Sequence, residues 1–450
     1  MPAKVGEYRK VPGAKAREYL VRAEKALAKT TVGSDLVLSD RGEGARLWDV
    51  DGNEYLDFGG VGTTNFGFGS CLAPMRKAIF DVLSHGIAHY PTPDWHNEWS
   101  VRGAEELLSR VPLSGEGVVF PTRSGTEAVE AALKALRKAR PERDVFIRFR
   151  GGFHGRTHGS LSLLDPRKPE RVTHYAMPYQ ALELPFPAKH HETPFEQIKQ
   201  ALFSIPYSLF PRLNGLFVEV VQGEGGINVA DSRSLVRIAD FCREHDIALV
   251  IDEIQAGMGR TGKLWAYEHY DIQPDIVLAG KSLGGGVVDV SAAVIRKDLS
   301  FQNISEHAST FGLEPIKAAA MVSAFEHLER EKLAARSGET GDWAIGRLGE
   351  LLGEHPNIKN IRGKGLMIAI EFRHSHDDSK PYPELRNQTI KEAEQLGIIA
   401  LACGFNDVNP SVRLMPPLVI SHSELDQGLG LFRQALERAV APSHAWLRRV

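Results

Sequence analysis

Over residues 124–311, short apolar runs alternate with helical stretches, and few architectures accommodate that pattern. The runs cover 144–149, 215–221, 247–251 and 276–278, and a helical pattern over 232–245 lies between two of them. A strand that is apolar throughout is buried on both faces, which implies a mostly parallel sheet with helices on each side. In such sheets ligands settle beyond the carboxyl ends of the strands. Chemistry is therefore sought where each run stops. The remainder of the chain follows a different plan. The first residues, to about Lys29, read as a polar helix. Ala45-Arg46-Leu47-Trp48-Asp49-Val50, Asp51-Gly52 and Glu54-Tyr55-Leu56-Asp57-Phe58 then read as a hairpin, with Asp-Gly as its turn. After a helix over 314–330, helices mix with strands such as 365–372. A length of 450 residues suits two or three units. The expected division is an N-terminal segment 1–65 that joins the smaller domain, a large α/β ligand-binding domain 66–330, and a smaller α+β domain 331–450, with the chain break near 336–341.

Composition excludes several classes of function. Lys+Arg number 54 against 57 Asp+Glu, a net charge of -3, and no basic block stands out, so nucleic acid is not an expected partner. The three cysteines, Cys71, Cys242 and Cys403, are far apart. They suit neither a disulfide framework nor a zinc site, and they fit a reducing compartment. No apolar run approaches the roughly 20 residues that span a bilayer, and Met1 to Leu20 carries no signal core. These features predict a cytoplasmic protein without membrane contact, whose partners are small molecules and other copies of itself.

Four places along the chain carry residues suited to chemistry. Ser124-Gly125-Thr126-Glu127 opens a helix in a capping-box pattern, and its free backbone N–H groups suit a phosphate. The plainer reading is a well-capped helix. The loop Phe149-Arg150-Gly151-Gly152-Phe153-His154-Gly155-Arg156-Thr157 follows an apolar run. Phe153 can stack on a flat heteroaromatic ring, and Arg156 can clamp a carboxylate. His154 and His158 have the spacing of a metal pair, but Gly155 stands where a zincin has Glu and no third ligand is evident, so no metal is expected. Asp252 ends the run Ala248-Leu249-Val250-Ile251, where a buried carboxylate is costly unless it meets a cation. A protonated pyridine nitrogen is such a cation, and the pairing maintains the electron sink that carbanion chemistry on pyridoxal phosphate (PLP) requires. Gln255 can reach the ring's phenolic oxygen. Asp252 capping the next turn is the bland alternative. Lys281 follows Ile276-Val277-Leu278-Ala279-Gly280; a lysine partly buried there becomes an amine nucleophile. Alone it would be an ordinary solvated lysine. Its weight comes from lying one strand–helix–strand step beyond Asp252.

Two glycine-rich stretches mislead. Gly257-Met258-Gly259-Arg260-Thr261-Gly262-Lys263-Leu264 nearly matches a P-loop, but Leu264 stands where Ser or Thr must hold Mg²⁺. Gly67-Phe68-Gly69-Ser70-Cys71-Leu72 lacks the third glycine of a dinucleotide loop.

Taken in order, Ser124-Gly125-Thr126-Glu127-Ala128, Phe153-His154-Gly155-Arg156-Thr157, Gln222-Gly223-Glu224-Gly225-Gly226, Asp252-Glu253-Ile254-Gln255, Gly259-Arg260-Thr261-Gly262-Lys263 and Lys281 with its glycines resemble the class III aminotransferases of PLP fold type I. The resemblance runs from about Trp48 to Leu418. It implies an α/β fold with a large, mostly parallel sheet flanked by helices, plus a smaller α+β domain built from both ends of the chain. It implies PLP as cofactor, with Lys281 as its Schiff-base lysine and the carrier of protons between substrate Cα and cofactor C4′. Asp252 would partner the pyridine nitrogen, Gln255 the O3′ atom and Phe153 the ring face. Ser124, Gly125, Thr126 and His154 complete the cofactor-binding set. Thr310 would reach the phosphate of a neighbouring subunit, which implies a homodimer, with a tetramer as the larger alternative. Glu224 and Arg413 would form a gate in which Arg413 binds the α-carboxylate of one substrate and Glu224 neutralises it for the other; the plainer reading of Arg413 is a surface ion pair.

The chain departs from the family where Gly312-Leu313-Glu314-Pro315 replaces Gly-Gly-Asn-Pro, where Val220 follows Glu219 in place of Pro, where 67–72 replaces a Gly-His-x-His-Pro turn, and where Val287-Val288-Asp289-Val290 replaces a Pro-Ile/Leu-Gly run. The implied activity is transfer of an amino group from an amino acid or ω-amino acid, 4-aminobutyrate- or ornithine-like, to a keto acid such as 2-oxoglutarate. An amino-acid racemase or epimerase on the same fold is the alternative. A non-catalytic regulator is a third possibility, but it would carry an added basic DNA-binding domain.

Overall fold

The structure, a computed structural model, describes residues 2–31, 34–60, 73–86 and 94–441. The stretch 67–72, with Cys71, lies outside the described residues.

The central sheet has seven strands in the order Gly117–Thr122, Ser291–Arg296, Ile276–Ala279, Ala248–Asp252, Leu213–Val218, Val145–Phe149 and Gln180–Leu184. Only Ser291–Arg296 runs against its neighbours. The apolar runs are continuous because successive residues face two different cores. Phe146, Phe217, Val250 and Leu278 pack on the helix Gly125–Ala139. Ile147, Leu216, Ile251 and Val277 join a larger core with Leu235 and Ile238 of the helix Ser232–Glu244 and Met321 and Phe325 of the helix Pro315–Arg330. This is the two-sided burial that the sequence pattern predicts.

Beyond this unit, Ile358–Lys364, Met367–His374, Ser411–Leu414 and Leu401–Cys403 form a second sheet, with Asp377–Pro381 paired to Met367–His374. The expected hairpin pairs Arg46–Asp49 with Glu54–Asp57, and Gly52 supplies its left-handed turn at φ +89°. Glu54–Asp57 then pairs in parallel with Ile398–Ile399, so the N-terminal segment adds a sheet to the C-terminal third.

Two expected boundaries move. The break placed near 336–341 falls inside the helix Leu333–Leu352, and the chain bends instead at Lys332, φ +51°. The run expected to reach Val221 ends as a strand at Val218; Val221–Gln222 pairs separately with Asn228–Val229. Glu219 stands at the turn, where its carboxylate accepts the N–H groups of Phe153 and of Gly223, each at 2.9 Å.

Two of the unusual segments meet at one lysine. Lys317 Nζ lies 3.2 Å from Glu314 Oε2 and 4.0 Å from Asp289 Oδ1, and donates to the Phe311 carbonyl at 2.8 Å. Lys317 and Glu314 are buried. Removing one member of a buried pair strands the other charge, at a cost of about 3–5 kcal/mol. Lys317→Met is expected to lower unfolding stability by about 3 kcal/mol in a denaturant titration, and adding Glu314→Leu to restore most of it. A single variant as stable as the parent would show that the pair is solvated.

Candidate active site

Asp252 and Lys281 come to the same sheet edge because their strands are parallel neighbours. Asp252 pairs with Leu278, and Lys281 follows three residues on. Gly280 makes the exit: a Cβ there would sit 2.5 Å from Ser291 Oγ. Lys281 adopts φ +51°, a left-handed conformation that costs a non-glycine residue roughly 1–2 kcal/mol. Burial pushes its amine down to about 8; Arg413 acts in the same direction, while Glu224, Asp252 and Glu219 oppose. Those five groups therefore share one electrostatic neighbourhood.

Asp252 is buried, and both of its oxygens are engaged. Oδ2 lies 2.8 Å from His154 Nδ1, and Oδ1 accepts the Ile254 N–H at 3.0 Å. The turn-capping reading thus holds for one oxygen only. Burial works against a protonated His154, but the hydrogen bond and charge of Asp252 outweigh it and raise the imidazole above its ordinary value. His154 accordingly stands behind Asp252. Glu219, which sequence reasoning missed, is buried beside them, and burial pushes its carboxyl up to about 7. Its signal was a carboxylate inside an apolar run.

Gln255 is buried, and its Oε1 has no hydrogen-bond partner among the described residues. Gly223 lies against it, since a Cβ there would fall 2.0 Å from Oε1. At the helix start, Ser124 Oγ accepts the Glu127 N–H at 3.4 Å. The expected capping box is not completed: Glu127 Oε2 accepts the N–H of Arg123 at 2.9 Å, one residue before the cap. As the first two helical residues, Gly125 and Thr126 have no acceptor within the helix for their N–H groups. The Thr126 hydroxyl joins Thr157 Oγ1 at 2.8 Å and Ser160 Oγ at 3.0 Å.

Phe153 is half-buried, with the guanidinium of Arg156 5.7 Å and that of Arg171 5.4 Å from its ring centre. Arg156 is exposed. Thr310 is also exposed, in a cleft lined by Phe120, Arg123, Glu127 and His307 near the helix start.

Glu224 and Arg413 meet as expected, with Oε1 and Nη1 2.9 Å apart. Arg413, on the strand Ser411–Leu414, is only 5% exposed, so the surface-pair reading fails. Neither its Nε nor its Nη1 has a hydrogen-bond partner among the described residues, so its contact with Glu224 is an ion pair without hydrogen-bond alignment. Glu224 Oε2 faces Arg171 Nη2 at 3.2 Å and Lys168 Nζ at 3.9 Å, two cations that the sequence did not single out. Burial alone would raise the Glu224 carboxyl, but Arg413, Lys168 and Arg171 bring it down to about 2.

A doubly covered, mostly parallel sheet with a perturbed lysine and a buried carboxylate at adjacent strand ends defines an α/β enzyme of PLP fold type I. The chain belongs to the class-III aminotransferase family, whose model matches residues 28–436. Ornithine aminotransferase 1 of Staphylococcus aureus is 34% identical over 414 residues, covering 89% of this chain and 95% of that one. The alanine/serine racemase of Pyrococcus horikoshii is 29% identical over 447 residues, covering 95% and 92%. Among solved structures, an ornithine aminotransferase from Toxoplasma gondii with partial occupancy of PLP at its active site superposes with a TM-score of 0.82, at 27% identity over 94% of each chain. The enzyme is PLP-dependent, as its family is.

Proposed function

We propose that the enzyme moves the amino group of an amino acid or ω-amino acid, ornithine- or 4-aminobutyrate-like, to a keto acid such as 2-oxoglutarate. The observation that carries this reading is the ion pair of half-buried Glu224 with buried Arg413, within electrostatic reach of Lys281. A site that must accept a substrate with an α-carboxylate and another without one needs a cation that can be covered and uncovered.

The residues fit the cofactor. Gln255 offers a buried amide with an unused polar atom beside a buried carboxylate, which matches a ring bearing a phenolic oxygen and a basic nitrogen. Bound PLP supplies an electron sink for the carbanion left when a proton departs from the substrate Cα. Lys281 Nζ would hold the cofactor and would move that proton. Asp252, held by His154 and the Ile254 N–H, would keep the ring nitrogen protonated. Phe153 would stack on the ring, and the N–H groups of Gly125 and Thr126, in the helix start that Ser124 caps, would receive the phosphate. Arg156 takes a distal carboxylate and Arg413 an α-carboxylate. Thr310 completes the phosphate site of a second copy in a homodimer, for which its exposure and the exposed Phe80, Leu83 and Trp95 are support. The buried free thiols Cys242 and Cys403 suit a reducing, cytoplasmic setting.

The resemblance to an alanine/serine racemase across nearly the whole chain supports a second reading, racemisation. One enantiopure amino acid supplied without a keto acid separates the two. The expected result is stoichiometric release of the keto acid, with the bound cofactor converted to its amine form. Optical inversion without net amine transfer would establish the racemase instead.

A further inference from the structure

A gate built from Glu224 and Arg413 alone has an energetic difficulty. When a substrate carboxylate takes Arg413, the half-buried Glu224 is left with its charge uncompensated, which is unfavourable away from bulk water. In this chain the two oxygens of Glu224 have separate partners. Oε1 faces Arg413 at 2.9 Å, and Oε2 faces Arg171 at 3.2 Å and Lys168 at 3.9 Å. Arg171 and Lys168 also line a cavity of about 300 Å³ with Arg386, Cys403 and Phe405. The Glu224 backbone is tied to the same wall, its carbonyl accepting the Gly404 N–H at 2.9 Å. The side chain therefore has two cations other than Arg413 within reach, while its backbone stays fixed. Arg171 is itself steadied over the Phe153 ring.

Resting on the aminotransferase reading, we propose that Arg171, assisted by Lys168, receives the Glu224 carboxylate when Arg413 takes an α-carboxylate, and so sets the preference between substrates with and without that group. Arg171 acts through Glu224 and is a positioning residue that determines specificity. Without it, Glu224 has its best partner in Arg413, and the gate stays closed against α-carboxylates.

The test uses the PLP-loaded enzyme and Arg171→Leu. Binding of glutarate, an unreactive dicarboxylate, is measured by calorimetry, and kcat/KM is compared for L-glutamate and 4-aminobutyrate. Loss of a charge-assisted hydrogen bond is expected to weaken glutarate binding roughly 10- to 100-fold and to shift the glutamate-to-aminobutyrate ratio by a similar factor against glutamate, mainly through KM. Arg171→Lys is expected to recover part of both. Unchanged glutarate affinity, or an equal fall for both substrates, overturns the proposal. If the parent enzyme transfers no amine at all, the aminotransferase reading fails, and glutarate binding still decides the role of Arg171. Should Arg171→Leu not fold, Lys168→Met makes the same comparison with a smaller shift expected.

Discussion

Lys281→Ala is expected to abolish the near-visible absorption of the lysine-bound cofactor and to lower kcat by at least about 10⁴-fold, since the proposed function gives this one side chain the roles of both nucleophile and proton carrier. Burial and Arg413 hold the Lys281 amine at about 8, well below an ordinary lysine, so near neutral pH a useful fraction is unprotonated. The direction of the pH effect follows. Attack on the cofactor aldehyde needs the neutral amine, so the rate at which apo-protein takes up PLP is expected to rise with pH and level off above about 8. Each pH unit below that value removes roughly tenfold of the neutral amine. A coloured, active Lys281→Ala enzyme, or an uptake rate that ignores pH, would remove Lys281 from the centre of the mechanism.

Asp252→Asn is expected to leave PLP binding measurable while lowering the rate of the amino-acid half-reaction on the order of 10³-fold, the scale of losing a preorganised buried charge. The substitution preserves shape and an acceptor for the Ile254 N–H. It removes the negative charge that raises His154 against the effect of burial, so the imidazole is expected to lose its proton at lower pH than in the parent. NMR titration of His154 reads that change independently of turnover. A variant within tenfold of the parent rate would reduce Asp252 to the turn cap that its position also allows.

The buried pairs show where a linear reading loses its grip. Asp252 and His154 were each named from the sequence, yet their bond joins residues 98 apart, and no spacing rule announces it. Glu127 was assigned to a capping box and instead accepts from Arg123, because the choice between adjacent N–H groups is decided by side-chain geometry. Glu314 and Asp289 stood out only as departures from a pattern; buried Lys317 pairs with Glu314 and lies 4.0 Å from Asp289, and nothing in its own context distinguished it from a surface lysine.

By itself, the sequence determined the doubly covered sheet, the order of the catalytic motifs and the adjacency of Asp252 and Lys281. Apolar continuity reports two-sided burial, and parallel strands end on one edge, so those features follow from local pattern and topology. Only the tertiary structure decided that Arg413 is buried, that Glu219 completes the group behind Asp252, and that Lys168 and Arg171 share Glu224 with Arg413. Periodicity records which face a residue occupies but not which charge it meets there, and partner choice among buried ions depends on distances that form only when separate segments pack together.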